Sequence, residues 1–263
     1  MNEKTDAMEK ERIIGRPALL AGEWFSDFLW GLFCPGCQTP VVARIIAEAF
    51  EELDIGDRAI MVAGVGCHGM LLGGVALDRV HALHGRGPDV ATGIKRNLPG
   101  IIVFTVQGDG DCIAIGAGSL IGAATRGEKI TIIMINNTNY GTTGGQLAPT
   151  TLIGQVTTTT PQGRDPNVEG YPAHAAELVA TFKGVSYSAR GALHTAANYQ
   201  RTKGYIKTAF QKQLDGLGLS FVEVITACPP NWHLTPVQSL AWIKEQVVPE
   251  FPLGEFKNGA QVE

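Results

Sequence analysis

The chain has 263 residues, 44% of them hydrophobic, and a formal net charge of -4. That length supports one large domain with additions and a sizeable core. The mild acidity, without a long basic run, speaks against nucleic acid or an anionic membrane as partner, and no segment approaches the roughly 18 consecutive apolar residues of a membrane span.

Residues 1–30, opening "MNEKTDAMEKERIIGRP", read as an arm or subunit contact, and the charged start without an apolar core makes a cytoplasmic protein the expectation. Trp24, Phe25, Phe28, Trp30 and Phe33 suit either a helix packed on its own core or a subunit contact, where aromatics are enriched. "TPVVARIIAEAFEEL" has the apolar spacing of a helix, and "AIMVAGVGC" reads as a buried strand ending in glycines. "PDVATGIKRNL" follows as a helix with Pro88 near its start and Lys95 and Arg96 on a solvated face. Next come a strand, "IIVFTV", one helix through "DCIAIGAGSLIGAATRG" stopped by Gly127, and a strand, "KITIIMINN". The stretch "TTLIGQVTTTTPQGRDPNVEGYP" has no regular pattern and is long for a connection, which suits a binding loop. "TAANYQRTKGYIKTAFQKQLDG" reads as a helix, "LSFVEVIT" as a strand, and "TPVQSLAWIKEQVV" as a last helix capped by Thr235. Continuous apolar strands alternating with helices define a doubly wound, mostly parallel α/β sheet, covered on both faces. Such sheets bind ligands beyond the carboxyl ends of their strands. The domain is placed at 31–250 and a C-terminal tail at 251–263.

One strand end carries Gly108-Asp109-Gly110-Asp111, and the next carries "NNTNYG", Asn136 to Gly141. Glycine turns after strands present N–H groups to phosphates, yet two carboxylates would repel one. A hard cation resolves the conflict. Asp109 offers a carboxylate oxygen and Asn136 or Asn137 an amide carbonyl, a donor set that suits Mg²⁺ together with phosphate oxygens. The alternative for the acids alone is a solvated surface turn.

Five cysteines in a chain of this kind read as ligands or reactive thiols before disulfides. Cys34 and Cys37 form a CxxC, Cys67 lies in "GVGCHG" and Cys228 in "ITACPPNW". A CxxC is a redox dithiol, half a zinc site or half an iron–sulfur site, and spacing alone leaves the three open. Cys112, at a helix start, reads as a small packed residue. His174, His194 and His233 read as structural.

Together "GDGD", "NN.NYG.TGGQ", "HGR", "ATGIK" and "PTT" resemble, in order and over roughly residues 30 to 250, the thiamine diphosphate-binding β subunit of the 2-oxoacid:ferredoxin oxidoreductases. The resemblance implies the thiamine diphosphate-binding fold. It implies Mg²⁺ held by Asp109, the side chain of Asn137 and the backbone carbonyl of Asn139, and a diphosphate lined by Gly108, Gly110 and Asp111, then by Thr142, Thr143 and Gln146. It also implies a 4Fe–4S cluster on Cys34, Cys37, Cys67 and Cys228. Gly66 and Gly85 fall at the cofactor, as does His68 if it faces the active site rather than backing the cluster beside Cys67, and His84 is the candidate for a polar contact to cofactor or substrate. The implied reaction is oxidative decarboxylation of a 2-oxoacid with coenzyme A to acyl-CoA, CO₂ and reduced ferredoxin, an oxygen-sensitive chemistry of anaerobic metabolism. The implied partners are an α subunit with the pyrimidine-binding domain and its glutamate, γ and ferredoxin-like δ subunits, and ferredoxin. Details such as "HGRG" and "QLAPTTLIGQ" favour 2-oxoisovalerate, with 2-oxoglutarate or another 2-oxoacid as alternative. The rival classes are a non-oxidative thiamine enzyme subunit and a zinc-stabilised scaffold subunit. Two departures stand out. Family members often read "YGMTGGQ" where this chain has Thr142, and "CPGCG" where it has Gln38, a change expected to alter hydrogen bonds to sulfur.

Overall fold

Four buried stretches run side by side at the centre of the sheet: β1 (Ala59–Ala63), β3 (Ile102–Gly108), β4 (Thr131–Asn136) and β6 (Leu219–Ile225). In this computed structural model, which describes residues 32–73, 75 and 77–259, they are parallel neighbours in the order β1-β3-β4-β6. Three further strands extend the sheet: β2 (Asp78–His81) beside β1, β5 (Val185–Ala192) beside β6, and β7 (Gly254–Asn258), antiparallel at the far edge. The expected arm 1–30 lies outside the described residues, and so does the aromatic run apart from Leu32 and Phe33.

The central strands read as continuous apolar runs because their side chains alternate between two covered faces. Phe104, Val106, Ile133 and Ile135 join one core with helices α1 (Thr39–Leu53) and α6 (Ala196–Leu214). There the rings of Phe50, Phe104 and Phe210 meet edge to face with centroids 4.7–5.4 Å apart. Val103, Ile132 and Met134 join the other core, under α2 (Gly87–Asn97), α4 (Ala117–Arg126) and α5 (Ala175–Ala180). Cys112 is fully buried in that second core, as a small packed residue would be.

Several elements differ from expectation. The helix expected after the glycine loop is two: a short α3 (Asp109–Ile113), then α4, which Gly127 stops in the left-handed conformation. The break falls at Gly116, where a Cβ would stand 2.2 Å from the carbonyl oxygen of Asp111 and 3.0 Å from that of Gly85. Lys95 is not on a solvated face. It is buried, and its Nζ donates to the carbonyls of Pro99 and Ile101 beyond the end of α2. Arg96 is exposed but pairs with Glu128 at 2.6 Å. Two short helices follow β6: α7 (Pro229–Trp232) and α8 (Pro236–Trp242), the latter with a full capping box between Thr235 and Gln238. The last predicted helix then widens into a π-turn, Ile243–Val247. Of the stretch read as a tail, Gly254–Asn258 forms β7. Among the described residues no helix is long and apolar enough to cross a membrane.

Candidate functional site

Because β1, β3, β4 and β6 are adjacent and parallel, the loops at their carboxyl ends converge. Cys67 follows β1, Asp109 and Asp111 follow β3, Asn137 and Asn139 follow β4, and Cys228 follows β6. A cleft opens between these loops. Gly66, Cys67, His68, His84, Gly108, Asp109, Gly110, Asp111, Asn137, Asn139, Thr142 and Thr143, all singled out in the sequence, line it. Gly85 and Gln146 stand behind the wall. The Gly85 N–H donates to Asp111 at 2.7 Å, and Gln146 exchanges hydrogen bonds with Thr143.

The two acids of the glycine loop are treated differently. Burial pushes Asp109 up to about 7, against donation from Thr150 and the Gly110 N–H. Burial also pushes Asp111 up, but His68, the Gly85 N–H and Gln107 more than reverse it and hold the carboxyl below its usual range. His68 Nε2 and His84 Nε2 stand 3.4 and 3.5 Å from the Asp111 carboxylate. Asp111 is thus committed to organising the glycine turns, while Asp109 is a buried carboxylate with capacity left to accept. Room for this arrangement depends on missing side chains. A Cβ on Gly64 would stand 1.9 Å from Asp111 Oδ2, and one on Gly110 would stand 2.0 Å from the Tyr140 ring.

After β4 the chain makes a strained turn. Thr138 has φ 59, a left-handed conformation unusual for a β-branched residue. Its N–H donates to Asn136 Oδ1, its carbonyl accepts from Thr151 and its hydroxyl accepts from Gln155. The strain turns Asn137 and Asn139 toward the cleft. Asn136 does not face it: its amide donates to buried Glu223 at 2.7 Å, so of the two asparagines only Asn137 lines the cleft. The chain then turns back as a hairpin in which Tyr140 and Gln146 pair.

Cys34, Cys37 and Cys228 gather beyond the cleft wall formed by Cys67. Burial raises the Cys37 thiol, with Cys67 and Cys34 adding to it, and burial pushes Cys228 up to about 12, with Cys37 and Cys67 adding. Burial raises Cys67 too, against a hydrogen bond from Thr142. The Thr142 hydroxyl donates to Cys67 Sγ at 3.1 Å, and the Asn231 amide donates to Cys228 Sγ at 3.4 Å. Gln38 makes its side-chain hydrogen bonds away from sulfur. Its side chain spans from the Leu193 carbonyl to the Ala227 N–H, tying the CxxC turn to the residue before Cys228.

Sequence reasoning passed over Gly64, Gln107, Tyr140 and Asn231. Thr150, on Asp109, sits in the "PTT" run, so its signal was there without a role. Among the described residues, no three His, Cys, Asp or Glu side chains are arranged around a single ion. Two groups of donors still suit the implied cofactors. One buried carboxylate beside amide oxygens suits Mg²⁺, which keeps waters and takes phosphate oxygens. Four thiols with side-chain donors aimed at two of them suit a four-iron cluster, which spreads its ligands wider than one ion does.

A doubly wound sheet with a glycine loop, an asparagine turn and a shared cleft at its carboxyl edge is a thiamine diphosphate-binding fold. Residues 64–224 match the C-terminal TPP-binding domain of thiamine pyrophosphate enzymes. The ketoisovalerate oxidoreductase subunit VorA of Methanothermobacter thermautotrophicus is 41% identical over 226 residues, 86% of this chain and 47% of the relative. The 2-oxoglutarate synthase subunit KorB of Archaeoglobus fulgidus is 38% identical over 220 residues, covering 84% of this chain and 78% of that subunit. The chain belongs to the β-subunit family of the 2-oxoacid:ferredoxin oxidoreductases. It spans about half the length of the ketoisovalerate relatives it matches. A 2-oxoglutarate:ferredoxin oxidoreductase from Magnetococcus marinus, solved with 2-oxoglutarate, coenzyme A and succinyl-CoA bound, shares the fold with a TM-score of 0.68 at 23% identity, covering 87% of this chain and 81% of that one.

Proposed function

We propose that the chain is the thiamine diphosphate- and 4Fe–4S-carrying subunit of an enzyme that oxidises a 2-oxoacid with coenzyme A to acyl-CoA and CO₂ and passes the electrons to ferredoxin. The observation that carries the reading is the contact between two sites in one cleft wall: Thr142, on the hairpin after the asparagine turn, reaches Cys67 Sγ. A cofactor held by the loops and a cluster held by the cysteines would stand close enough for electron transfer.

Asp109, Asn137 and the Asn139 carbonyl hold Mg²⁺ in this reading, and the glycine backbone at Gly108 and Gly110 lets the diphosphate approach. Bound thiamine diphosphate supplies the electron sink for loss of CO₂. The protein's own part is positional. Asp111 fixes Gly85 and orients His68 and His84, so His84 presents its ring to the cleft, where it contacts cofactor or substrate. Cys34, Cys37, Cys67 and Cys228 hold the cluster. The glutamate that partners the aminopyrimidine belongs to an α subunit, so the chain alone is inactive; γ and δ subunits complete the assembly. The 41% identity to a ketoisovalerate subunit supports 2-oxoisovalerate as substrate, ahead of 2-oxoglutarate.

The test is anaerobic purification of the complex from its native source, with iron and sulfide assays and visible spectra. A brown complex bleached by 2-oxoisovalerate and coenzyme A, but not by 2-oxoglutarate, is expected. A complex with zinc and no iron would sink the electron-transfer reading. Oxidation of a 2-oxoacid by the chain alone would contradict the shared-site reading.

A further inference from the structure

Two side chains that ligate neither proposed metal site donate to cysteine sulfur: Thr142 from the loop that carries Asn137 and Asn139, and Asn231 from the short helix after β6 that follows Cys228. Thr142 lies in the hairpin directly after Asn139. Its hydroxyl has one proton, and at 3.1 Å the acceptor is Cys67 Sγ. Asn231 lies in α7, three residues after Cys228. Its Nδ2 has two protons and three acceptors: the Gly141 carbonyl at 3.0 Å, Asn139 Oδ1 at 3.2 Å and Cys228 Sγ at 3.4 Å. Asn231 also packs closely on the hairpin, since a Cβ on Gly145 would stand 3.0 Å from Asn231 Cβ. The next residue, Trp232, donates its indole N–H to the Asn137 carbonyl at 3.1 Å, so α7 is pinned to the asparagine turn at two points.

We propose that Thr142 and Asn231 are positioning residues that raise the reduction potential of the cluster on Cys34, Cys37, Cys67 and Cys228, and that they tie that potential to the geometry of the cofactor loop. The proposal rests on the cluster reading above. Reduction adds one negative charge, shared among the irons and sulfurs. A donor aimed at a ligand sulfur stabilises the reduced form more than the oxidised form and moves the potential upward. A methionine at 142 would offer no proton, so that substitution is expected to leave the cluster a poorer electron acceptor. Asn231 divides its two protons among the Gly141 carbonyl, Asn139 Oδ1 and Cys228 Sγ, so the cluster and the asparagine turn draw on one donor.

The experiment uses the complete anaerobic complex, titrated against redox mediators and read by EPR of the reduced cluster. T142V and T142M remove the donor, T142S keeps it, and N231L removes the second. T142V, T142M and N231L are each expected to lower the midpoint. A shift of about 59 mV corresponds to tenfold in the oxidised-to-reduced ratio for one electron. T142S is expected to match the wild type, which a purely structural effect of substitution would not produce. Equal midpoints in wild type and T142V, both holding iron, overturn this proposal alone. A wild-type complex without iron overturns the cluster reading and this proposal with it. One measurement needs no variant: the iron–cysteine stretches in resonance Raman spectra of the wild-type complex are expected to shift on exchange into D₂O, and unshifted bands overturn the proposal even if the variants fail to assemble.

Discussion

Thr150 places a hydroxyl on Asp109 Oδ2 while the Gly110 N–H holds Oδ1, and the residue is only 2% exposed. Removing the hydroxyl with T150V leaves a buried carboxylate short of a donor, at about 1–3 kcal/mol. The expected outcome is roughly 5- to 160-fold weaker binding of Mg²⁺-thiamine diphosphate by calorimetry, with the fold retained by circular dichroism. Unchanged affinity would remove Thr150 from the site. Gly64 makes a different demand. Its absent Cβ is the space that Asp111 Oδ2 occupies, so G64A must push the carboxylate off the Gly85 N–H and Gln107. A loss of about 1–3 kcal/mol in denaturant unfolding is expected, as for overpacking. At this scale the sequence was readable where chemistry repeats at fixed spacing, as in the glycine loop, the asparagines and the CxxC. It was silent on Gly64, Tyr140 and Asn231, whose roles arise from contacts between loops distant in sequence.

Among the elements, the segment 149–171 of the long loop between β4 and α5 is gathered around one side chain. Arg164, 5% exposed, donates to the carbonyls of Pro149, Thr151, Glu169, Gly170 and Tyr171. A planar guanidinium with five fixed donors does this where a lysine would not. This segment in turn delivers Thr150 to Asp109 and Thr151 to Thr138, so it backs the cleft wall that the earlier part of the loop forms. R164M leaves five carbonyls without that donor. A stability loss of about 3 kcal/mol or more is expected, with faster amide exchange and proteolysis confined to residues 149–171 and weaker cofactor binding. Protection equal to the wild type in that loop would contradict the role given to Arg164. The same contrast explains which strands were legible. β1, β3, β4 and β6 are predominantly apolar and buried on both faces, whereas all four residues of β2 are exposed and β5 carries buried Ser186, Ser188 and Arg190, which satisfy themselves through tertiary bonds that no sequence period announces.

Across the whole molecule a charged network joins the sheet's far edge to the asparagine turn. Arg190 on β5 is fully buried, pairs with Glu223 on β6 at 2.9 Å and with Glu177 on α5, and lies 5.2 and 5.0 Å from the ring centres of Phe251 and Phe256. Glu223 accepts from Asn136, whose side-chain oxygen holds the strained Thr138, so the charge pair beneath the sheet ends in the backbone that aims Asn137 and Asn139. Glu177 is the part of this network that a proton reaches, since its side chain is 35% exposed. Burial pushes its carboxyl up, and Arg190 more than reverses that, holding it below the usual glutamate range. A carboxyl depressed on folding contributes stability that is complete above its unfolded value and is lost as pH falls through its folded value. The difference in thermal midpoint between wild type and E177Q should therefore be widest near neutral pH, where the ion pair is intact, and should shrink on acidification below the ordinary glutamate range. Glu48 and Glu52, also held low by basic partners, are present in both proteins and cancel in the difference. A gap that stays constant or widens in acid would show that Glu177 contributes packing rather than charge, and that the network is anchored through Glu223 alone.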